Sequence, residues 1–400
     1  MTDPLVKRSE KILHFLCEEL PTRRVGSAGN QRATTYIKES MADAGFDVEP
    51  PPFACMDWEE EGASLEAAGQ QFPVLPSPFS NGFSGTGELV TASSVAELET
   101  LTLQDKILLL KGEVTASQLM PKNFRFYNPE EHQRIYALVE SGKPKAVITA
   151  TGKNPELAGA MYPFPMFEDG DFEIPSVYMK DVDGEELAKL AGSSAALEIR
   201  ARRNLSTGCN VVAAKTGREL QKVVVCAHMD AKRGTPGALD NATGTTVLLL
   251  LGELLRAYHG RLGVEIVAIN GEDYYSSPGE IQYLEMNTSA MENIFLAINM
   301  DGVGLKGYPT AFSFYGCPPE LEDKARSSFQ RCGLVQGEEW YQGDHSIFLQ
   351  QEVPAIALTT NDFSQFISHI VHTPEDTLEH VDPQELVRIA NCLAGFIQSL

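Results

Sequence analysis

Apolar residues recur along this chain with two different periods, and the change of period divides it. Between residues 9 and 20, Ile12, Leu13, Leu16 and Leu20 fall on one face at helical spacing. This predicts an amphipathic helix with Ser9 as its cap. A second helix is predicted over 31–44, stopped by Gly45, with the polar loop Thr22-Arg23-Arg24-Val25-Gly26-Ser27 between the two. Pro50-Pro51-Pro52 then breaks the pattern and marks a domain boundary. From about 53 to 204, short strand-like runs at 106–110, 146–149 and 176–179 alternate with Gly- and Pro-rich turns, and one helix is predicted over 129–140. From about 205 the texture changes again. Continuous Val/Ile/Leu runs at 222–227, 264–269, 294–300 and 354–359 are separated by helical patterns at 243–258, 321–332 and 383–398. Uninterrupted apolar strands alternating with helices predict an α/β fold whose largely parallel sheet is buried on both faces.

Composition narrows the classes of function. The 400 residues carry 32 Lys+Arg against 55 Asp+Glu, a formal charge of −23, and the sequence pI is near 4.7. That excess repels phosphate backbones and anionic lipid, so neither nucleic acid nor a membrane surface is an expected partner. With 43% apolar and 22% charged residues the chain is globular rather than disordered. No apolar run approaches 18 residues, and the opening stretch Asp3-Pro4-Leu5-Val6-Lys7-Arg8 has no secretion-signal pattern. Seven scattered cysteines form no Cys-x-x-Cys pair and read as reduced thiols. The expected setting is therefore cytoplasmic.

Ligands and catalysis in such sheets gather at the carboxyl ends of the strands. The run ending Val225-Cys226-Ala227 is followed by His228-Met229-Asp230; the run 264–269 by Asn270-Gly271-Glu272-Asp273; the run 294–300 by Asp301. Pro236-Gly237-Ala238-Leu239-Asp240-Asn241 leads into an apolar helix, and His372-Thr373-Pro374-Glu375-Asp376 lies near the end. One strand-end Asp is commonly a cap, and one His is commonly a satisfied core residue, as His132 is expected to be. Three consecutive strands each delivering a His or a carboxylate at one sheet edge point to a site. Two histidines with several carboxylates and no cysteine suit zinc or another first-row divalent ion, and one bridging carboxylate can hold two.

These stretches, together with Asn299-Met300-Asp301-Gly302-Val303-Gly304 and Gly343-Asp344-His345 with Phe348, resemble the co-catalytic di-zinc aminopeptidases, a family related to glutamate carboxypeptidase and the transferrin receptor. The likeness runs through 205–400, and the loop at Arg23 with its flanking helices resembles the family's N-terminal segment. Softer matches at 105–112, 137–149 and 174–184 resemble an inserted protease-associated (PA) domain. The resemblance implies a three-layer α/β/α zinc-peptidase domain with a mostly parallel mixed sheet, formed by 1–52 and 205–400, and a smaller β-rich α+β PA-like domain over 53–204.

Carried over by position, it implies two zinc ions: His228 and Asp301 on one, Asp273 and His372 on the other, with Asp240 bridging. Glu272 is implied as the general base acting on a metal-bridging water, and Asp230 as the residue that orients His228, with Asp376 in the same role for His372. Two positions depart from the pattern. Asp273 stands where many relatives have Glu, and Val371 where several carry a Tyr that stabilises the oxyanion; Tyr274, Tyr275 or His345 are candidate replacements. The implied activity is removal of N-terminal residues from a peptide substrate. The alternatives are a carboxypeptidase or other amidohydrolase on the same scaffold, and a non-catalytic receptor-like binding protein. Pairing into a homo-oligomer is left open.

Overall fold

A computed structural model describes residues 3–20, 22–155, 157–363 and 369–400. They form two compact units, one of 1–55 with 206–400 and one of 56–205. Each unit is built on its own apolar core.

The first unit holds an eight-stranded mixed sheet in the order Asp47–Glu49, Val211–Lys215, Gly263–Ile269, Lys222–His228, Ile294–Met300, Ala355–Thr360, Thr310–Tyr315, Val335–Gln336. Its centre, from 263–269 to 355–360, is parallel. Alternate residues face opposite ways, so Val223, Val225, Ala227, Ile266, Ile298 and Ile356 enter one core with the helices Pro4–His14, Ala28–Asp43, Thr243–Leu254 and Pro383–Ser399. Helices Pro278–Asn287 and His345–Leu349 meet through Tyr283 and Phe348 on the other face, where the Tyr283 hydroxyl reaches Glu265 of the sheet at 2.7 Å. This is the three-layer α/β/α build.

The first helix starts earlier than expected. Its cap is Asp3, whose side chain accepts from the Leu5 N–H at 2.9 Å, with Pro4 in the first turn; Ser9 is buried in mid-helix and caps nothing. Helix 243–254 lies so close to the sheet that a Cβ on Gly244 would meet Met300 O at 2.8 Å and the Ala227 Cβ at 2.9 Å. Only glycine allows that approach, which brings the loop before the helix down onto the strand ends.

The second unit builds a second eight-stranded sheet. Phe83–Ala92, Ile107–Leu110, Ala146–Thr151 and Ser176–Lys180 run parallel at its centre. The long strands Pro52–Ala67 and Ser194–Cys209 alternate buried and exposed residues along much of their length, whereas the strands above were read from continuous apolar runs. His132 is structural, its Nδ1 accepting the Met120 N–H at 2.9 Å. No helix among the described residues is long and apolar enough to cross a membrane.

Candidate metal centre

The carboxyl ends of the three central strands converge on one spot. His228 ends its strand, buried, with its carbonyl held by the Thr245 hydroxyl at 3.0 Å. Its Nε2 lies 3.0 Å from Asp240 Oδ1 and 3.6 Å from Asp301 Oδ1. The second Asp240 oxygen, Oδ2, lies 2.9 Å from His372 Nε2, and Asp273 Oδ1 approaches the same nitrogen at 2.8 Å. Three overlapping sets result: His228, Asp240 and Asp301; Asp240, Asp273 and His372; and His228, Glu272 and Asp273. Asp240 belongs to the first two, with one oxygen toward each histidine. All five proposed ligands and Glu272 are thus brought together.

Around them the backbone is pinned by neutral amides. Asn241 donates to Met300 O at 2.8 Å and accepts the Gly244 N–H at 2.9 Å, joining the loop to the strand end that carries Asp301. Asn270 and Asn30 exchange reciprocal bonds of 2.8 and 2.9 Å, fixing the turn that presents Glu272 and Asp273.

The donor set fits divalent cations on grounds internal to the structure. Both His228 ring nitrogens and Asp273 Oδ2 are buried without a hydrogen-bond partner, an arrangement that costs a protein free energy unless something else coordinates them. Burial pushes the Glu272 carboxyl well up, with Asp273, Asp301 and Glu280 adding to it against His228. It also raises Asp301, although His228 opposes the shift. Asp240 goes the other way: burial raises it, but His228 and His372 outweigh burial and hold it down. Burial works against a charge on either imidazole, yet Asp230, Asp240 and Asp301 lift His228, and Asp273 and Asp240 lift His372, well above the ordinary value. Four carboxylates around two imidazoles leave a surplus of buried negative charge, which is the condition that two divalent cations relieve.

Two neighbouring assignments change, and a third residue takes a second task. Asp230 Oδ1 faces His228 Nδ1 at 3.7 Å and also accepts the Gly271 N–H at 2.7 Å. It fixes the turn before Glu272. Asp376 spends both carboxylate oxygens on the backbone N–H groups of Leu239 and Asp240, at 2.7 and 3.1 Å, so it serves the Asp240 loop. His345 is no oxyanion donor: its Nε2–H goes to Trp340 O at 2.8 Å, and its Nδ1 faces the Asn299 amide at 3.4 Å. The sequence placed Arg23, Asn241 and Asn270 in the matching stretches but not their bonds to Pro236, Met300 and Asn30, which lie far away along the chain.

Comparison with known proteins bears on the family and the fold. Residues 210–397 match the model of Peptidase family M28. Aminopeptidase YwaD of Bacillus subtilis is 23% identical over 418 residues, spanning 98% of this chain and 84% of that protein. Among solved structures, an aminopeptidase from Aneurinibacillus sp. strain AM-1 superposes with a TM-score of 0.76 at 19% identity, covering 98% of this chain and 93% of that one. BSAP, a zinc aminopeptidase from Bacillus subtilis, gives a TM-score of 0.73 at 21% identity over 98% and 94% of the two chains.

Proposed function

We propose that this chain, a member of peptidase family M28 through its residues 210–397, is a zinc-dependent exopeptidase that removes N-terminal residues from peptides. The observation that carries the reading is the Asp240 carboxylate, which has one oxygen at each of two histidines in a cluster of otherwise unneutralised acids. His228 and Asp301 would hold one zinc and Asp273 and His372 the other, with Asp240 shared. Bound there, the pair supplies Lewis acidity that polarises the scissile carbonyl and acidifies water.

The chain's own residues do the rest. Glu272 is the one carboxylate of the cluster left over once the five ligands are assigned. Uncommitted to metal, its carboxylate is placed to take up and release a proton. As the water oxygen bonds to the carbonyl carbon, Glu272 takes its proton. As the carbon–nitrogen bond breaks, Glu272 gives that proton to the departing amine. Asp230, through the Gly271 N–H, keeps the Glu272 turn in place. Val371 is buried and offers no donor, and His345 is committed elsewhere, so oxyanion stabilisation falls to other groups.

The free state of all seven cysteines supports a reducing, cytoplasmic setting. The central strands of the inserted unit, 107–110, 146–151 and 176–180, coincide with the stretches that resemble a PA domain and support that assignment. Digestion of peptides with free or blocked termini, with and without added zinc, tests the activity by mass spectrometry. Loss of residues only from free N-termini, and only with zinc, is the expected result. Loss from C-termini would replace this reading with a carboxypeptidase.

A further inference from the structure

The segment 236–240 is gripped along both of its edges by two buried polar side chains. Arg23, only 2% exposed, donates from Nη1 to Pro236 O at 2.8 Å and Leu16 O at 2.8 Å, from Nη2 to Gly237 O at 2.7 Å, and from Nε to Met229 O at 3.3 Å. Asp376, fully buried, takes the opposite groups of the same segment. Its backbone carbonyl accepts the Ala238 N–H at 3.2 Å, and its carboxylate accepts those of Leu239 and Asp240. The carbonyls of 236 and 237 are therefore bound to one residue, and the N–H groups of 238, 239 and 240 to the other.

Burying a guanidinium and a carboxylate is costly, and apolar side chains of similar volume would serve packing as well. What apolar side chains could not do is fix five successive residues from both sides. The position so fixed is that of Asp240. Its Oδ1 sits 3.0 Å from His228 Nε2 and its Oδ2 2.9 Å from His372 Nε2, so any drift of the segment moves it at both metal positions at once. Asp273 and Asp301 each reach only one of the two histidines at these distances.

We propose that Arg23 and Asp376 are positioning residues for the metal pair: by clamping 236–240 they set where the shared Asp240 carboxylate lies, and so the affinity of both metal positions together. The inference rests on the two-zinc reading above. Residues that orient a metal ligand through hydrogen bonds commonly change metal affinity by about 10–100-fold when replaced, and that is the effect expected here.

The test uses the full chain and two readouts besides activity: zinc content after dialysis against graded chelator, and the visible absorption spectrum of the cobalt-loaded protein. Wild type retaining two metals per chain tests the underlying reading; if it binds none, that reading fails and this inference with it. Asp376→Asn, nearly the same shape, replaces one accepting oxygen by an amide donor that faces an N–H. Its two metals should be lost together at about 10–100-fold lower chelator, with an altered cobalt spectrum, and excess zinc should restore kcat. A residue that only glues the loop would lower the melting temperature and leave metal affinity and spectrum untouched. Wild-type affinity with an unchanged spectrum, or loss of one metal alone, overturns the proposal. Should Asp376→Asn not fold, Arg23→Lys, which keeps the charge but cannot span the four carbonyls, is judged on the same readouts and criteria.

Discussion

The peptidase unit and the inserted unit each place parallel apolar strands at the centre of an eight-stranded sheet, yet they treat buried charge in opposite ways. In the inserted unit the one buried carboxylate among the described residues is Asp169, and it is fully employed: it accepts the N–H groups of Lys122 and Asp171, each at 2.8 Å. In the peptidase unit, buried acids and histidines crowd the carboxyl ends of the strands, and His228, Asp230, Asp273 and Asp344 keep buried polar atoms without a hydrogen-bond partner. The inserted unit demonstrates that this kind of sheet does not need buried charge to form. What distinguishes the other unit is that its buried charges are clustered at one sheet edge, and that clustering marks where its chemistry happens.

The sharpest way to break this contrast is at Glu272. Glu272→Gln keeps the shape but removes the proton acceptor; kcat should fall by about 10²–10⁴-fold while metal analysis still finds two zinc ions. His228→Ala should lose metal together with activity. A fully active Gln variant would remove Glu272 from proton transfer and leave its burial without purpose.

How much of this could be read from the sequence depended on distance along the chain. The central strands and the residues just after them were legible, because a buried parallel strand announces itself as an apolar run and the site lies at its end. Asp240 and His372 stood out as candidate ligands, and the family likeness supplied their separate roles as the bridge and a ligand of the second metal. The clamp and the amide ties were illegible: Arg23 and Pro236 are 213 positions apart, and Asn30 and Asn270 are 240 apart, so no local pattern links them. Asp376 was noticed but given to His372, its neighbour in sequence, whereas it serves a loop 136 positions back. The strand over 52–67 was missed because Glu59-Glu60-Glu61 reads as solvated surface.

The inserted unit should answer to packing alone. Leu109 is fully buried in its core, beside Ile107 and Ile148. Leu109→Ala should destabilise the protein by about 2–5 kcal/mol in chemical unfolding, with the zinc content of the folded protein unchanged. A drop in metal content there would mean that the two units do not divide the work as described.

A buried histidine outside the metal cluster gives the next test, through pH. Burial holds the His345 imidazole down at about 4, with its bond to the Trp340 carbonyl opposing the shift. In the unfolded chain it titrates near the ordinary 6.5. As pH falls the unfolded state therefore binds the proton first, so the fold loses stability between about 6.5 and 4, by up to about 3 kcal/mol, and keeps it above 6.5. His345→Gln abolishes that loss. The variant's deficit in melting temperature, measured on metal-free protein, should be largest near pH 7.5 and shrink toward pH 4.5. A constant deficit would show that His345 is not held neutral.

The smallest effect belongs to the surface acids, which make up most of the formal charge of −23. Glu186 and Lys189 of the inserted unit pair at 2.6 Å with side chains 59% and 66% exposed. Water screens such a pair, and ordering two long side chains offsets what attraction remains. Glu186→Gln should shift the melting temperature within experimental scatter and leave kcat/KM and zinc content at wild-type values. The same change of carboxylate to amide at Glu272 removes activity. The difference between these two variants separates acids that keep the chain in solution from the few that are buried, unneutralised and placed where metal and substrate meet. An effect at Glu186 rivalling that at Glu272 would remove burial as the property that distinguishes them.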